Sequence, residues 1–369
     1  MQVIKHAALA ALVAATLVNV SHGALVSGPA PGSSHEVVEV APGVYAVVRH
    51  WDAGTADGNS MFIINDSDVV VVDTGGYAAD ARQIIADIRR RTDKPVRYIV
   101  TTHHHGDHMT GNEALLAAYP GAEIIGHTAT RELSIADGPI DPGPFRKELE
   151  RVNQALATGR TSDGEVVTPE RRKHLELAKA NFAFFIGDNR GVERVPPTMT
   201  FAERLVLHRG KRTIEVRFFG EGHTPGDAVV YLPKERVLAA GDLVVHPVPF
   251  GGATNLRAWP ETLRAIRKLD VAVIVPGHGD ILRDWDYVDR EIALLDSTWA
   301  QVRKAVEAGA NLEATRKAVD GEALARAFGM ISARDREDFD FLYLDSAVEA
   351  AFQALHPTSA LLTSDKAFN

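Results

Sequence analysis

The run VRYIVTTHHHGDHMTGN, residues 96–112, constrains this chain more than any other. A buried-strand pattern leads directly into four histidines and one aspartate within six positions, 103–108. On an extended strand end, side chains at i and i+2 point the same way, so His103 and His105 can converge on one ion. Asp107 and His108, in the turn beyond, can reach a second, while His104 faces away and reads as structural. The fold must then return further donors to the end of this one strand.

The chain has no cysteine. That removes disulfides, a thiol nucleophile and thiolate ligands, and leaves histidine and carboxylates to hold any metal. Donors of this kind suit zinc, manganese or iron and do not choose among them. Three later turns offer the missing groups: GEGHTPGD supplies His223, AAGDLV supplies Asp242 and VPGHGD supplies His278. Each follows a strand-like run and sits among glycines that let backbone and metal approach closely.

Around these turns the chain alternates strands and helices. EVVEV, GVYAVV, SMFII and DVVVVDTGG read as short strands joined by turns. Ile84, Ile85 and Ile88 predict a helix over 79–91, and NEALLAAY a second. From Arg204 the rhythm resumes with RLVLH, TIEVRFFG, DAVVYL, RVLAAGD, a helix over 261–269, and VAVIVPGHG. Sheets packed between helices follow from this order. Two regions break it. Residues 133–197 open on the Pro/Gly-rich DGPIDPGPF and predict two helices, over 145–156 and 169–186, with Leu175, Ala178, Phe182 and Phe185 near one face. Beyond residue 284 the chain reads as helical, with Tyr287, Leu294, Leu295, Trp299, Val302 and Val306 as a core-facing stripe.

Residues 1–23 carry Lys5, an apolar run from Ala7 to Val18, and small residues Ser21 and Gly23 before a cleavage point. This is the layout of a secretory signal peptide, too short for a membrane span. The expectation is a periplasmic or secreted protein with no membrane association after cleavage. A net charge of −9 argues against a nucleic-acid partner. A small-molecule substrate is the expected partner, and association into an oligomer is compatible with the sequence.

Taken together, H-x-H-x-D-H followed by His, Asp and His on later loops resembles the metallo-β-lactamase-fold hydrolase superfamily over about Val37 to Leu282. The resemblance implies a four-layer αββα sandwich of α/β class over 36–283, with a helical insertion at 133–197 and a helical C-terminal extension over 284–369. It implies one metal held by His103, His105 and His223, a second by Asp107, His108 and His278, and Asp242 bridging both. Asp73 in VVDTGG would support the ligand loops from outside. The implied cofactor is two zinc ions, with manganese or iron as alternatives. A metal-bridging hydroxide would cleave an ester, thioester, lactone or amide, with Asp107 as the catalytic carboxylate.

Histidine rather than glutamate at 105 departs from redox-active diiron relatives, and Asp242 departs from the antibiotic-hydrolysing subclasses. The pattern looks more like the broad hydrolase branch that includes thioesterases of the glyoxalase II type, lactonases and phosphodiesterases. The rival readings are β-lactam hydrolysis, a mononuclear-iron persulfide dioxygenase, and a non-enzymatic periplasmic metal-binding protein. Specificity comes from loops, where His246, Phe182 and Phe185 are the candidate substrate contacts.

Overall fold

The computed structural model describes residues 35–49, 57–161, 164, 166–252 and 254–356. The expected signal peptide lies outside these residues. Contacts divide the chain into two compact units.

The first unit holds both sheets. Strands β1 (Glu36–Ala41), β2 (Val44–Val48), β3 (Ser60–Ile64) and β4 (Val69–Val72) form an antiparallel meander. Strands β5 (Val96–Val100), β6 (Glu123–His127) and β7 (Met199–Phe201) continue the same sheet in parallel. Parallel neighbours need crossovers. Helix α1 (Ala78–Arg89) joins β4 to β5, and the short α2 (Gly106–Met109) and α3 (Asn112–Ala118) join β5 to β6. The second sheet runs in the order β12-β11-β10-β9-β8. Its strands are β8 (Arg204–Arg209), β9 (Arg212–Phe218), β10 (Ala228–Leu232), β11 (Val237–Val245) and β12 (Val273–His278). Only the β11–β12 pair is parallel.

The four valines of β4 show why this stack forms. Side chains alternate across a strand. Val70 and Val72 join the core shared with Ile214, Val216, Val230 and Val275 of the second sheet. Val69 and Val71 turn the other way, onto Ile84 and Ile88 of α1 and onto Leu115. A strand buried on both faces is apolar at every position, and each such side chain contributes about 1.5–3 kcal/mol. Helix α1 is anchored at its start by Asp80, whose carboxylate accepts the amides of Gly76 and Tyr77.

The connection from β6 to β7 holds α4 (Thr128–Asp137), α5 (Gly143–Thr158) and α6 (Pro169–Asp188). Gly159, at φ 67°, adopts the left-handed conformation that ends α5. Thr168 caps α6 by accepting the Arg171 amide, ahead of Pro169 at the first helical position. The α5–α6 hairpin has its own core of Val152, Ala155, Leu175, Ala178 and Phe182. Phe182→Ala should therefore destabilise the protein by about 3–5 kcal/mol in denaturant melts, as a buried aromatic deletion does. A loss below about 1 kcal/mol would contradict this packing.

The second unit is described separately. It contains α7 (Trp259–Ile266), α8 (Asp286–Glu307), α9 (Leu312–Ala318), α10 (Gly321–Phe328), α11 (Ala333–Phe339), a π-helical turn (Asp340–Leu344) and α12 (Asp345–Leu355). Of the expected stripe, Tyr287, Leu294, Leu295 and Val302 are buried, and Trp299 and Val306 partly so. The Tyr343 hydroxyl donates to Thr298 at 2.8 Å inside this helical core. Among the described residues no helix is long and apolar enough to cross a membrane.

Candidate metal centre

Strand β5 ends at Val100, and the histidine cluster follows at its carboxyl end, where open α/β sheets commonly place their sites. His103 and His105 bring their rings to 4.7 Å between centroids. Thr102 Oγ1 lies 3.1 Å from His103 Nδ1, which leaves Nε2 for the site. Asp107 and His108 fall in α2, one turn further on. Asp242 comes from β11, whose register with β12 shifts on both sides of Gly241. Such irregularities bend a strand and re-aim its side chains. His278 closes β12. His223 lies on the connection from β9 to β10, where the Gly222 amide donates to the Thr224 carbonyl.

Two groups of donor atoms result. His103, His105, His223 and Asp242 form one, and Asp107, His108, Asp242 and His278 the other, with donors in each within 4.8 Å of one another. Asp242 belongs to both. Its carboxylate lies 3.1 Å from His108 Nε2, 3.4 Å from His278 Nε2 and 3.7 Å from His103 Nε2. The Asp107 carboxylate lies 3.1 Å from His278 Nε2 and 3.5 Å from His108 Nε2.

Asp73 stands behind His108. Its carboxylate meets His108 Nδ1 at 2.9 Å and also accepts the Thr102 amide at 2.8 Å and the Thr102 hydroxyl at 2.7 Å. A carboxylate on the far nitrogen fixes the ring and directs Nε2 into the site. The Asp73 backbone is left-handed, at φ 55°, a conformation that aspartate tolerates and that clusters at functional sites.

The electrostatics favour positive charge. Burial would lower the His278 ring, but Asp242 and Asp107 outweigh it and push it up to about 9. Burial likewise opposes charge on His108, and Asp242, Asp107 and Asp73 together raise it well above the ordinary histidine value. Burial works against both carboxylates, yet His108 and His278 hold Asp242 and Asp107 well below the usual carboxylate range. Imidazoles and carboxylates without sulfur, buried and drawn together with net preference for a cation, fit a pair of divalent ions such as zinc.

The remaining named residues lie around this centre. His104 is buried, 3.8 Å from Asp137, and its carbonyl accepts from Arg194 at 2.8 Å. His246 follows β11, with its ring 4.0 Å from Asp280 and its side chain 29% exposed. Phe182 is enclosed in the hairpin core. Phe185 stacks on Phe145 at 4.0 Å and meets Tyr77 edge-on at 5.6 Å, while Phe184 lies 5.2 Å from the same tyrosine. Tyr77 adjoins Gly76, which packs on Asp107, so the hairpin's aromatic end reaches the loop beside the donors.

Sequence reasoning missed several polar residues here. Asp57 is buried beside Gly76, and burial, then Asp80, pushes its carboxyl well above the ordinary range. Arg49, Asn59 and Asp80 are buried too. None sits in a motif, so no local signal marks them.

A model of the metallo-β-lactamase superfamily matches residues 53–278. Hydroxyacylglutathione hydrolase of Brucella anthropi is 40% identical over 188 residues, covering 49% of this chain and 63% of that one. Linear primary-alkylsulfatase of a Pseudomonas species is 26% identical over 225 residues, covering 57% of this chain and 39% of that one. The chain thus spans less than two thirds of either relative's length. In fold it is similar to the stereoselective inverting sec-alkylsulfatase Pisa1 from Pseudomonas sp., with a TM-score of 0.58, 18% identity, and coverage of 91% of this chain and 52% of that one. With both sheets in place and more than half of its length matched by the family model, the chain belongs to the metallo-β-lactamase superfamily.

Proposed function

We propose that this protein is a hydrolase dependent on two divalent cations, zinc foremost, that cleaves an ester, thioester, lactone or amide in a small molecule. One observation carries the reading: the Asp242 carboxylate is common to two adjacent donor groups. His103, His105 and His223 would hold one ion, and Asp107, His108 and His278 the other, with Asp242 between them. Bound cations supply Lewis acidity and an activated water at neutral pH. Asp73 keeps the His108 ring oriented. Asp107, at 30% the most exposed of Asp73, Asp107 and Asp242, would orient water and accept its proton. Hydrolysis of a thioester or related ester is favoured by the 40% identity to hydroxyacylglutathione hydrolase.

The test is a screen of zinc-loaded protein over thioesters, lactones, simple esters, β-lactams, alkyl sulfates and phosphodiesters. Turnover of a thioester, ester or lactone is expected, abolished by a chelator and restored by zinc. Persulfide-dependent oxygen consumption with no hydrolysis would replace this reading with the dioxygenase. Turnover confined to β-lactams would replace it with the lactamase.

A further inference from the structure

A buried polar chain runs behind the second donor group. Asn59 is 3% exposed and stands just before β3, in the first sheet. Its side-chain amide donates to the carbonyls of Pro276, at 3.0 Å, and Gly279, at 2.8 Å. Its backbone amide donates to the carbonyl of Gly277 at 2.6 Å. Three of the four backbone carbonyls from 276 to 279 are thus taken by one residue, and these flank His278. The Asn59 side-chain oxygen accepts the Arg49 amide at 2.8 Å, so its polar capacity is well used.

Arg49 carries the chain onward. Its guanidinium donates to the Gly58 carbonyl at 2.6 Å and lies 3.3 Å from the Asp80 carboxylate. Asp80 in turn accepts the amides of Gly76 and Tyr77. A Cβ on Gly76 would lie 3.2 Å from the Asp107 Cα, so this loop is the floor on which Asp107 rests. His278, at the end of β12 in the second sheet, and Asp107, in α2 after β5 of the first, are therefore joined from behind by Asn59, Arg49 and Asp80.

We infer that Asn59 is a positioning residue that sets the place of His278 relative to Asp107 and so tunes affinity for the second cation. The inference rests on the two-ion reading above. With its amide and its oxygen all bonded, Asn59 holds one geometry, and losing an outer partner of a ligand typically weakens metal binding by about 10–100-fold. Asn59→Asp keeps the shape but turns a carboxylate toward two carbonyls. Asn59→Ser removes most of the amide while leaving one donor.

The experiment titrates zinc into the metal-free full chain against a competing chelator and extracts two affinities. Wild-type protein that takes up fewer than two ions would fail the two-ion reading itself. With two ions in the wild type, both variants should lose about 10–100-fold in one of the two affinities and keep the other within a few-fold. Asn59→Ser should be the milder, and it carries the test should Asn59→Asp prove insoluble. Melting curves of the metal-free proteins supply the contrast. A lowered melting temperature with both zinc affinities unchanged would reduce Asn59 to a stabilising residue. Equal loss of both affinities would show a general defect of the fold. Either result overturns the inference.

Discussion

Asp242→Ala is expected to yield a folded protein that retains at most one tightly bound ion and has lost nearly all turnover. The carboxylate is 5% exposed and lies within 3.7 Å of His103, His108 and His278. Alanine removes the one group common to both donor sets and takes a close counter-charge from all three imidazoles, leaving His108 with Asp73 and His278 with Asp107. Loss of an outer partner costs about 10–100-fold in affinity or activity, and loss of a shared ligand should exceed that range. Folding should suffer less, because the surrounding core is built from aliphatic contacts between the sheets. Elemental analysis, hydrolysis rates and thermal melts on one preparation separate these effects. An alanine variant with two ions and full activity would remove Asp242 from the centre.

Gly277→Ala should be nearly as damaging although it adds only a methyl group. A Cβ there would overlap the Asp242 carboxylate, and would stand 2.7 Å from the Gly241 carbonyl carbon and 2.9 Å from the Asp242 nitrogen. A side chain could swing aside, but backbone in a paired strand cannot. Strands β11 and β12 are in register at Gly241 and Pro276, and the Gly277 carbonyl is already bonded to Asn59. Overpacking of this kind costs about 1–3 kcal/mol. The larger consequence is displacement of Asp242, read as lost metal. Gly187 in α6 is the control, since a Cβ there meets nothing within 4 Å. Gly187→Ala should be neutral or stabilising by up to about 1 kcal/mol, with metal content unchanged. Equal metal content in the two variants would show that close approach at Gly277 is not needed.

The donors were legible for a physical reason. His103 and His105 follow the end of β5 and His278 closes β12, while Asp107, His223, Asp242 and His278 each directly follow a glycine. Strand pattern, glycine and donor type thus coincide within a few residues, although Asp242, expected in a turn, lies within β11. The helices of the insertion were legible too, expected over 145–156 and 169–186 and found at Gly143–Thr158 and Pro169–Asp188. Strand β7 escaped notice because three residues, Met199–Phe201, carry no periodicity. Helix α4 was missed because Thr128–Asp137 mixes polar and small residues without an apolar stripe. Asn59 escaped for a different reason. Its partners Pro276 and Gly279 lie 217 and 220 residues away, and asparagine before a strand reads as an ordinary turn. Polar residues whose meaning depends on distant backbone leave no local mark, so the frame behind the donors emerges only from the fold.

The most direct test of the two-ion centre is the metal content of protein loaded with zinc, freed of excess by dialysis, and measured against amino-acid analysis. Two adjacent donor groups sharing Asp242 predict close to two zinc ions per chain. One ion per chain, and above all a single redox-active iron retained in preference to zinc, would contradict it.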